Sequence, residues 1–317
     1  MLRIVFMGTP EFAIPSLETI YQRGYEIIGV VTQPDRPKGR GQKLAPPPVK
    51  EWALSKGLSV FQPEKVRDSA FVETLKELAP DLIVTAAYGQ ILPKTVLDIP
   101  PLGCINVHAS LLPKYRGAAP IQQALIEGEE ETGVTIMYMD VGMDTGDIIL
   151  QRSTRIYPDE HAGELHDRLA KLGAELLGEA LALFEKGKPK GKPQDGEKAT
   201  YCMKIDKSMG EIDWKQSARN IRNLIRGLTP WPGAFTYLGE KRLKIWKAEE
   251  WEYSGVGKPG QIMEADLKNG IIVSCGEGFL RLSQIQEAGG KPMEDTVFLV
   301  GNKLPVGSVF GNSPELD

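Results

Sequence analysis

Asn106 and His108 stand two residues apart in the run Cys104-Ile105-Asn106-Val107-His108. The chain then continues as Ala109-Ser110-Leu111-Leu112-Pro113 and Arg116-Gly117-Ala118-Ala119-Pro120. An apolar run that opens into Pro and Gly reads as a strand running into a loop. Alternate residues of a strand project to one face about 7 Å apart, so amide and imidazole look into the same space at the strand's end. A neutral amide donor beside a titratable imidazole suits chemistry in which a carbonyl oxygen becomes an oxyanion while a proton moves. The segment Asp140-Val141-Gly142-Met143-Asp144-Thr145-Gly146-Asp147 follows another apolar strand and is expected at the same edge of the sheet. An Asp from it would hold the imidazole's orientation and favour a cationic donor, with one or two of the three acids serving the turn itself.

These groups need a frame. Residues 2–7 form a continuous apolar run closed by Gly8-Thr9-Pro10, as in a strand buried on both faces. Residues 12–21 have helical spacing, with Phe12, Leu17, Ile20 and Tyr21 inward. Further strands are expected over 27–31, 82–86, 105–108 and 134–139, and helices over 52–56, 71–78 and 162–184. Strands alternating with helices predict an α/β fold, a doubly wound, mostly parallel Rossmann-like sheet, whose ligands bind beyond the strand C-termini. Gly8-Thr9-Pro10 is not G-x-G-x-x-G and predicts a tight turn, not a dinucleotide site.

A lysine-rich stretch, Lys186-Gly187-Lys188-Pro189-Lys190-Gly191-Lys192-Pro193, then begins a linker. Beyond it the pattern gives a helix over 217–226, with Gly227 as its cap and Pro230 as its stop. Short apolar runs separated by Gly turns follow, predicting a small C-terminal β-barrel of OB-like type. The expected division is a catalytic domain over 1–189, a basic linker over 190–207 and a barrel domain over 208–317.

A chain of 317 residues suits two domains, and 41% apolar with 25% charged residues is an ordinary globular composition. A net charge of −4 excludes a uniformly basic surface but leaves room for basic patches. Cys104, Cys202 and Cys275 form no C-x-x-C, which excludes a zinc cluster or disulfide framework and predicts a reducing compartment. The acidic loop lacks EF-hand spacing, so no metal is expected. No apolar run approaches the roughly 18 residues of a membrane helix, and the chain opens on a strand, so a cytoplasmic protein is expected.

Two basic surfaces stand out. Residues 33–48 hold Arg36, Lys38, Arg40 and Lys43 against one acid, Asp35, with Gly39 and Gly41 as hinges and Pro46-Pro47-Pro48 as a stiff exit. A loop of this length inside a compact domain usually has a function, and its basic character suits an RNA end. In the second domain Arg219, Arg222 and Arg226 share one helix face, and Lys241, Arg242, Lys244 and Lys247 cluster in the next hairpin.

Asn106-x-His108 followed by Ser110-Leu111-Leu112-Pro113, with Asp144 in D-x-G-x-D-T-G-D, resembles the formyltransferases that use 10-formyltetrahydrofolate. The resemblance extends over Ile4-Val5-Phe6-Met7-Gly8-Thr9-Pro10-Glu11-Phe12-Ala13, Gln33-Pro34-Asp35-Arg36-Pro37, Ala87-Tyr88-Gly89-Gln90-Ile91-Leu92-Pro93 and Trp231-Pro232, nearly the whole chain. It is strongest to the branch that formylates initiator methionyl-tRNA. The resemblance implies Asn106, His108 and Asp144 as the catalytic trio, Ser110 through Pro113 as part of the folate site, and a monomer without metal. It implies that the 33–48 insertion enters the acceptor stem, with Arg40 as its key arginine; Arg36, Lys38, Lys43, Arg219, Arg222 and Lys244 are the further expected tRNA contacts. The residues fit direct attack of a neutral α-amine on the formyl carbon, with Asn106 and His108 as oxyanion donors typically worth about 3–4 kcal/mol each. Formyl transfer to a small amine (a purine ribonucleotide or an amino-sugar nucleotide), folate hydrolysis and non-catalytic RNA binding are the alternatives. A small substrate needs neither the basic loop nor the basic second domain, and RNA binding alone gives no reason for the trio to converge.

Overall fold

The computed structural model describes residues 1–38 and 43–311. The chain forms two compact units. One comprises Met1–Pro120, Glu131–Arg155 and His166–Cys202; the other comprises Ile121–Glu130, Ile156–Leu165 and the chain from Met203 onward.

In chain order the first elements are β1 (Arg3–Gly8), α1 (Ile14–Gln22), β2 (Glu26–Val31), β3 (Arg36–Lys38), β4 (Lys43–Ala45), α2 (Pro48–Ser55), β5 (Val60–Phe61) and α3 (Ser69–Leu78). There follow β6 (Leu82–Ala86), α4 (Lys94–Leu97), β7 (Cys104–His108), β8 (Arg116–Gly117), α5 (Pro120–Ile126), β9 (Glu131–Tyr138), β10 (Ile148–Arg155), α6 (Ala162–Phe184) and β11 (Tyr201–Cys202). Seven strands make one sheet in the order β10-β9-β7-β6-β1-β2-β5. The five from β5 to β7 are parallel, whereas β9 runs antiparallel to β7 and β10 antiparallel to β9. The chain builds outward from β1 through β2 to β5, then returns to β6 on the other flank of β1. The strand order therefore reverses between β1 and β6, the place where open sheets form ligand crevices.

The central strands are covered on both faces, which is why they read as apolar runs. Ile4 through Met7 are fully buried, and so are Leu82, Ile83 and Val84. Thr85, in the middle of this apolar layer, is a buried polar exception. On α6, Leu165, Leu169, Leu176, Leu177, Leu181 and Phe184 are buried, as their spacing requires. A Cβ at Gly173 would press on Val107 of β7, so the glycine sets how closely this helix approaches the site strand. Tyr21 departs from expectation and is exposed. A 3-10 turn over Glu11–Ala13 precedes α1, which starts only at Ile14, so the helical phase counted from Phe12 is reset. Tyr21 instead packs edge-on against Trp52.

The segment read as the start of a linker is laid along the first unit. Lys192 forms a bridge with Ile148, and β11 pairs in parallel with β8.

In the second unit α7 (Ala218–Leu228) is capped by Ser217, whose Oγ accepts from Asn220 N at 3.2 Å, and it buries Ile221, Ile225 and Leu228. Gly227 is not the cap: the helix runs through it to Leu228, and a Cβ there would meet Ile126 and the Gln122 carbonyl. The strands β12 (Ala234–Leu238), β13 (Lys241–Trp251), β14 (Ile262–Asp266), β15 (Gly270–Ser274) and β16 (Phe279–Glu287) form an antiparallel sheet in the order β12-β13-β16-β15-β14. β17 (Met293–Glu294) pairs with β16, and α8 (Asp295–Gly301) follows. Gly311 bridges to Tyr237 on one edge strand, while Val309 bridges to Gln261 beside the other. This tail joins the two edges and closes the sheet into a barrel, with Phe310 buried between them and stacked on Trp214. Among the described residues no helix is long and apolar enough to cross a membrane.

Candidate active site

β7 lies between β6 and β9, and its alternation puts Cys104, Asn106 and His108 on one face. Thr85 sits beside Asn106 in the β6–β7 register, and its hydroxyl donates to Asn106 Oδ1 at 2.7 Å. With that oxygen tied down, Asn106 directs its Nδ2 away from β6; among the described residues nothing accepts from it. His108 is buried and its Nε2 lies 3.0 Å from the Tyr115 carbonyl. A carbonyl only accepts, so Nε2 carries the hydrogen and Nδ1 is left facing Asp144. Asp144 Oδ2 lies 3.7 Å from that nitrogen, within ion-pair distance, and also accepts from Gly117 N at 2.8 Å.

The acid arrives by a route the sequence did not suggest. Tyr138 of β9 lies opposite Ile105 and Thr135 opposite His108, so the loop after β9 leaves from the N-terminal end of β7. It then returns across the sheet face to bring Asp144 to His108. Asp140 serves the turn, its Oδ1 accepting from Gly142 N (2.9 Å) and Thr145 Oγ1 (2.6 Å). A Cβ at Gly146 would collide with the Tyr138 carbonyl, which is why glycine stands there. Asp144 has φ +52° and Tyr115 φ +59°, left-handed values that side-chain-bearing residues adopt at a cost and that cluster at functional sites. Gln194 Nε2 donates to the carbonyls of Asp144 and Gly146, both at 2.8 Å.

A cavity of about 860 Å³ opens at the N-terminal end of β7, lined by Leu97, Cys104, Tyr138, Met139, Val141 and Lys188; Asn106, His108 and Asp144 are not among its lining residues. Its volume is that of a site for a cofactor-sized ligand. Val141 on its wall is 71% exposed and Met143 in the same loop 55%, an apolar surface open to a partner molecule. Burial, reinforced by Asp98, pushes the Cys104 thiol up to about 12, so it is a neutral wall group and not a nucleophile.

The Ser110–Leu111–Leu112–Pro113 turn faces inward for the most part. Ser110 and Leu112 are buried; Ser110 Oγ donates to Lys114 O (2.6 Å), Thr135 Oγ1 to Ser110 O (2.7 Å) and Gln151 Nε2 to Leu112 O (2.7 Å). The turn's polar atoms are thus spent on holding its own shape, and Leu111 and Pro113 remain half-buried.

Residues 2–181 match the family model described as Formyl transferase, and residues 204–303 match Formyl transferase, C-terminal domain. The methionyl-tRNA formyltransferase of Caldanaerobacter subterraneus subsp. tengcongensis is 54% identical over 98% of this chain and 100% of its own length. This chain belongs to the methionyl-tRNA formyltransferase family. Another member, from Acetivibrio thermocellus, is 51% identical over 98% of this chain and 100% of its own. The fold is shared with the N-formyltransferase from Helicobacter canadensis solved with folinic acid and dTDP-3-aminofucose. That structure has a TM-score of 0.68 and 21% identity, covering 91% of this chain and 100% of that one.

On this family member the two flanks of the basic loop pair: β3 and β4 run antiparallel with Arg36 opposite Ala45 and Lys38 opposite Lys43. Arg36 and Lys43 are exposed, and Arg40 lies outside the described residues. The base of this pair is fixed by Lys50, which donates to both oxygens of Asp35 (2.8 and 2.9 Å) and to Gln62. The Lys50 and Gln62 hydrogen bonds hold the Asp35 carboxyl below the usual range. In the second unit Arg219 is exposed. Arg222 is engaged within its own unit, donating to Pro158 O (2.5 Å) and Asp159 (3.1 Å). Lys244 donates to Pro230 O (3.2 Å) and stands 4.1 Å over the Trp246 ring. Burial and the neighbouring Arg242 lower its pKa. Among the described residues no group of His, Cys, Asp and Glu could hold a metal ion.

Thr85, Arg116, Gly117 and Gln194 escaped the sequence reading. A lone threonine inside an apolar strand was a signal for the first. No spacing links Gln194 to a loop fifty residues earlier.

Proposed function

We propose that this chain transfers the formyl group of 10-formyltetrahydrofolate to the α-amino group of methionine on initiator methionyl-tRNA, with Asn106, His108 and Asp144 as its catalytic groups. The observation that carries the reading is the convergence on one strand face of an oriented, unengaged amide donor and an imidazole backed by a carboxylate. The neutral amine attacks the formyl carbon, and negative charge grows on the formyl oxygen. Asn106 Nδ2–H donates to that oxygen, joined by His108 Nδ1–H as it swings from Asp144 while the Tyr115 carbonyl holds the ring at Nε2; Asp144, held by Gly117 N, receives the amine's proton through water. The bond to the folate nitrogen then breaks and that nitrogen takes up a proton. No covalent enzyme intermediate forms, in keeping with a neutral Cys104.

The folate binds beside Asn106 and His108, with Ser110, Leu111, Leu112 and Pro113 as part of its site. The tRNA meets Arg36, Lys38, Arg40 and Lys43 with its acceptor end, and Arg219, Arg222 and Lys244 along its body. Arg222 and Lys244 exchange their present carbonyl partners for phosphates on binding. The division of labour is a catalytic domain over 1–189, a linker over 190–207 and a tRNA-binding barrel over 208–317. All three catalytic groups come from one chain, so a monomer suffices, and three buried free cysteines suit the cytoplasm.

The test is formyl transfer from 10-formyltetrahydrofolate to charged and uncharged initiator tRNA. Turnover only with charged methionyl-tRNA is expected. Binding without turnover, or equal turnover with a small amine, overturns the reading.

A further inference from the structure

We infer that Gln194 is a positioning residue for the reaction, holding the Asp144 loop in the conformation that brings its carboxylate to His108. The inference rests on the catalytic reading of Asp144 given above. Arg116 is buried, and its Nη2 and Nε both donate to Gln194 Oε1, at 2.7 and 3.2 Å. A guanidinium only donates, so the atom facing it is the amide oxygen, and the NH₂ group faces the other way. Its two hydrogens go one each to the carbonyls of Asp144 and Gly146. The amide is fully used and has one possible orientation.

Residues 115 to 117 form the hub of this arrangement. Tyr115 O fixes His108, Arg116 fixes Gln194, and Gly117 N holds the Asp144 carboxylate. Asp144 is therefore tied twice to the same short segment, by its side chain through Gly117 and by its backbone through Gln194. Asp adopts a left-handed φ such as +52° more readily than most residues but still at a cost, and the double hold fixes it there. Without the Gln194 donors the two carbonyls lose their partners and the loop relaxes, taking the carboxylate away from Nδ1. Among the described residues no carboxylate lies within ion-pair distance of Arg116, so its guanidinium rests on Gln194 Oε1 and on Tyr201, whose hydroxyl is 3.4 Å away.

That isolation supplies a clean variant. Gln194→Glu keeps an oxygen toward Arg116 and adds an ion pair, yet it offers no N–H to the two carbonyls. The expected result is a melting temperature no lower than the parent's and a kcat at least tenfold lower, with the KM for 10-formyltetrahydrofolate within twofold. Gln194→Asn, one methylene too short to span the gap, gives the same kcat loss and serves if the first variant does not fold. Each is also measured in an Asp144→Asn background, where a residue acting through Asp144 has no further effect. Full kcat in Gln194→Glu overturns the inference, as does an equal additional loss in the Asp144→Asn background. An Asp144→Asn enzyme with unchanged kcat instead overturns the catalytic reading on which the inference stands.

Discussion

Thr85→Val tests how the amide donor is aimed. Valine keeps the shape of threonine in a fully packed strand but removes the hydroxyl that donates to Asn106 Oδ1 at 2.7 Å. The amide can then turn about its terminal bond and present its oxygen, which repels an oxyanion, in place of its nitrogen. A hydrogen bond of this kind contributes about 0.5–1.5 kcal/mol net, which weights the productive orientation by about two- to tenfold. Removing the Asn106 donor itself is expected to cost about 100- to 1,000-fold in kcat. With the two orientations otherwise equal, losing that weight drops the productive share from about 70–90% to about half, so Thr85→Val should lower kcat by up to about twofold, far less than Asn106→Ala. Thr85→Ser, which keeps the hydroxyl, should restore most of the loss. Stability should change by less than about 1 kcal/mol, because Asn106 is half-buried and water can reach its oxygen. Steady-state formylation of charged initiator tRNA reads the rates, and a urea melt reads the stability. The reasoning is refuted if Thr85→Val has full kcat, or if it lowers kcat by the same factor in an Asn106→Ala background.

Two further outcomes concern stability. Asp295, 1% exposed, accepts from Arg281 Nε (2.9 Å) and Nη2 (3.1 Å) and from the Ile271 and Thr296 amides. Asp295→Ala should destabilise the second unit by about 3 kcal/mol, at the low end for a broken buried pair because Arg281 keeps some access to water; a urea midpoint shift equivalent to under 1 kcal/mol contradicts this. The thiols of Cys104 and Cys275 are pushed by burial from 9.0 to about 12, and the buried Tyr88 hydroxyl from 10.0 to about 12. The folded protein keeps protons that the unfolded chain releases, so stability is intact below pH 9 and falls as pH rises from 9 to 12; a urea midpoint that stays flat up to pH 11 refutes the assignment.

The strand that carries the trio's first two members was legible because burial on both faces writes an apolar run, and two polar residues at period two stand out against it. Asp144 was legible as a residue but not as a position. Strand direction is set by pairing partners far away in the chain, and nothing between residues 131 and 138 says that β9 runs against β7. The basic loop had a visible composition, whereas the pairing of its flanks and its anchor on Lys50 depend on contacts that no local pattern encodes. Gly227 was misread for a related reason: a glycine near a helix end has two uses, and only the neighbouring Ile126 shows that close approach, not capping, is the one in force. Arg222 and Lys244 were visible as charge, but charge alone does not reveal which carbonyls already hold it.

The reversed strand does more than deliver an acid. Had β9 run parallel to β7, its loop would have emerged directly beside His108 and left the face of Cys104 and Asn106 uncovered. Because it runs antiparallel, the chain from Met139 to Asp147 has to travel back along that face, and in doing so it walls the cavity with Met139 and Val141 before reaching His108. The same constraint explains the need for Gly146, Asp140 and Gln194, since a loop stretched across a sheet face has no ladder to hold it and relies on turns and borrowed donors. One change of strand direction thus accounts for the cavity wall, the strained aspartate and the distant glutamine together.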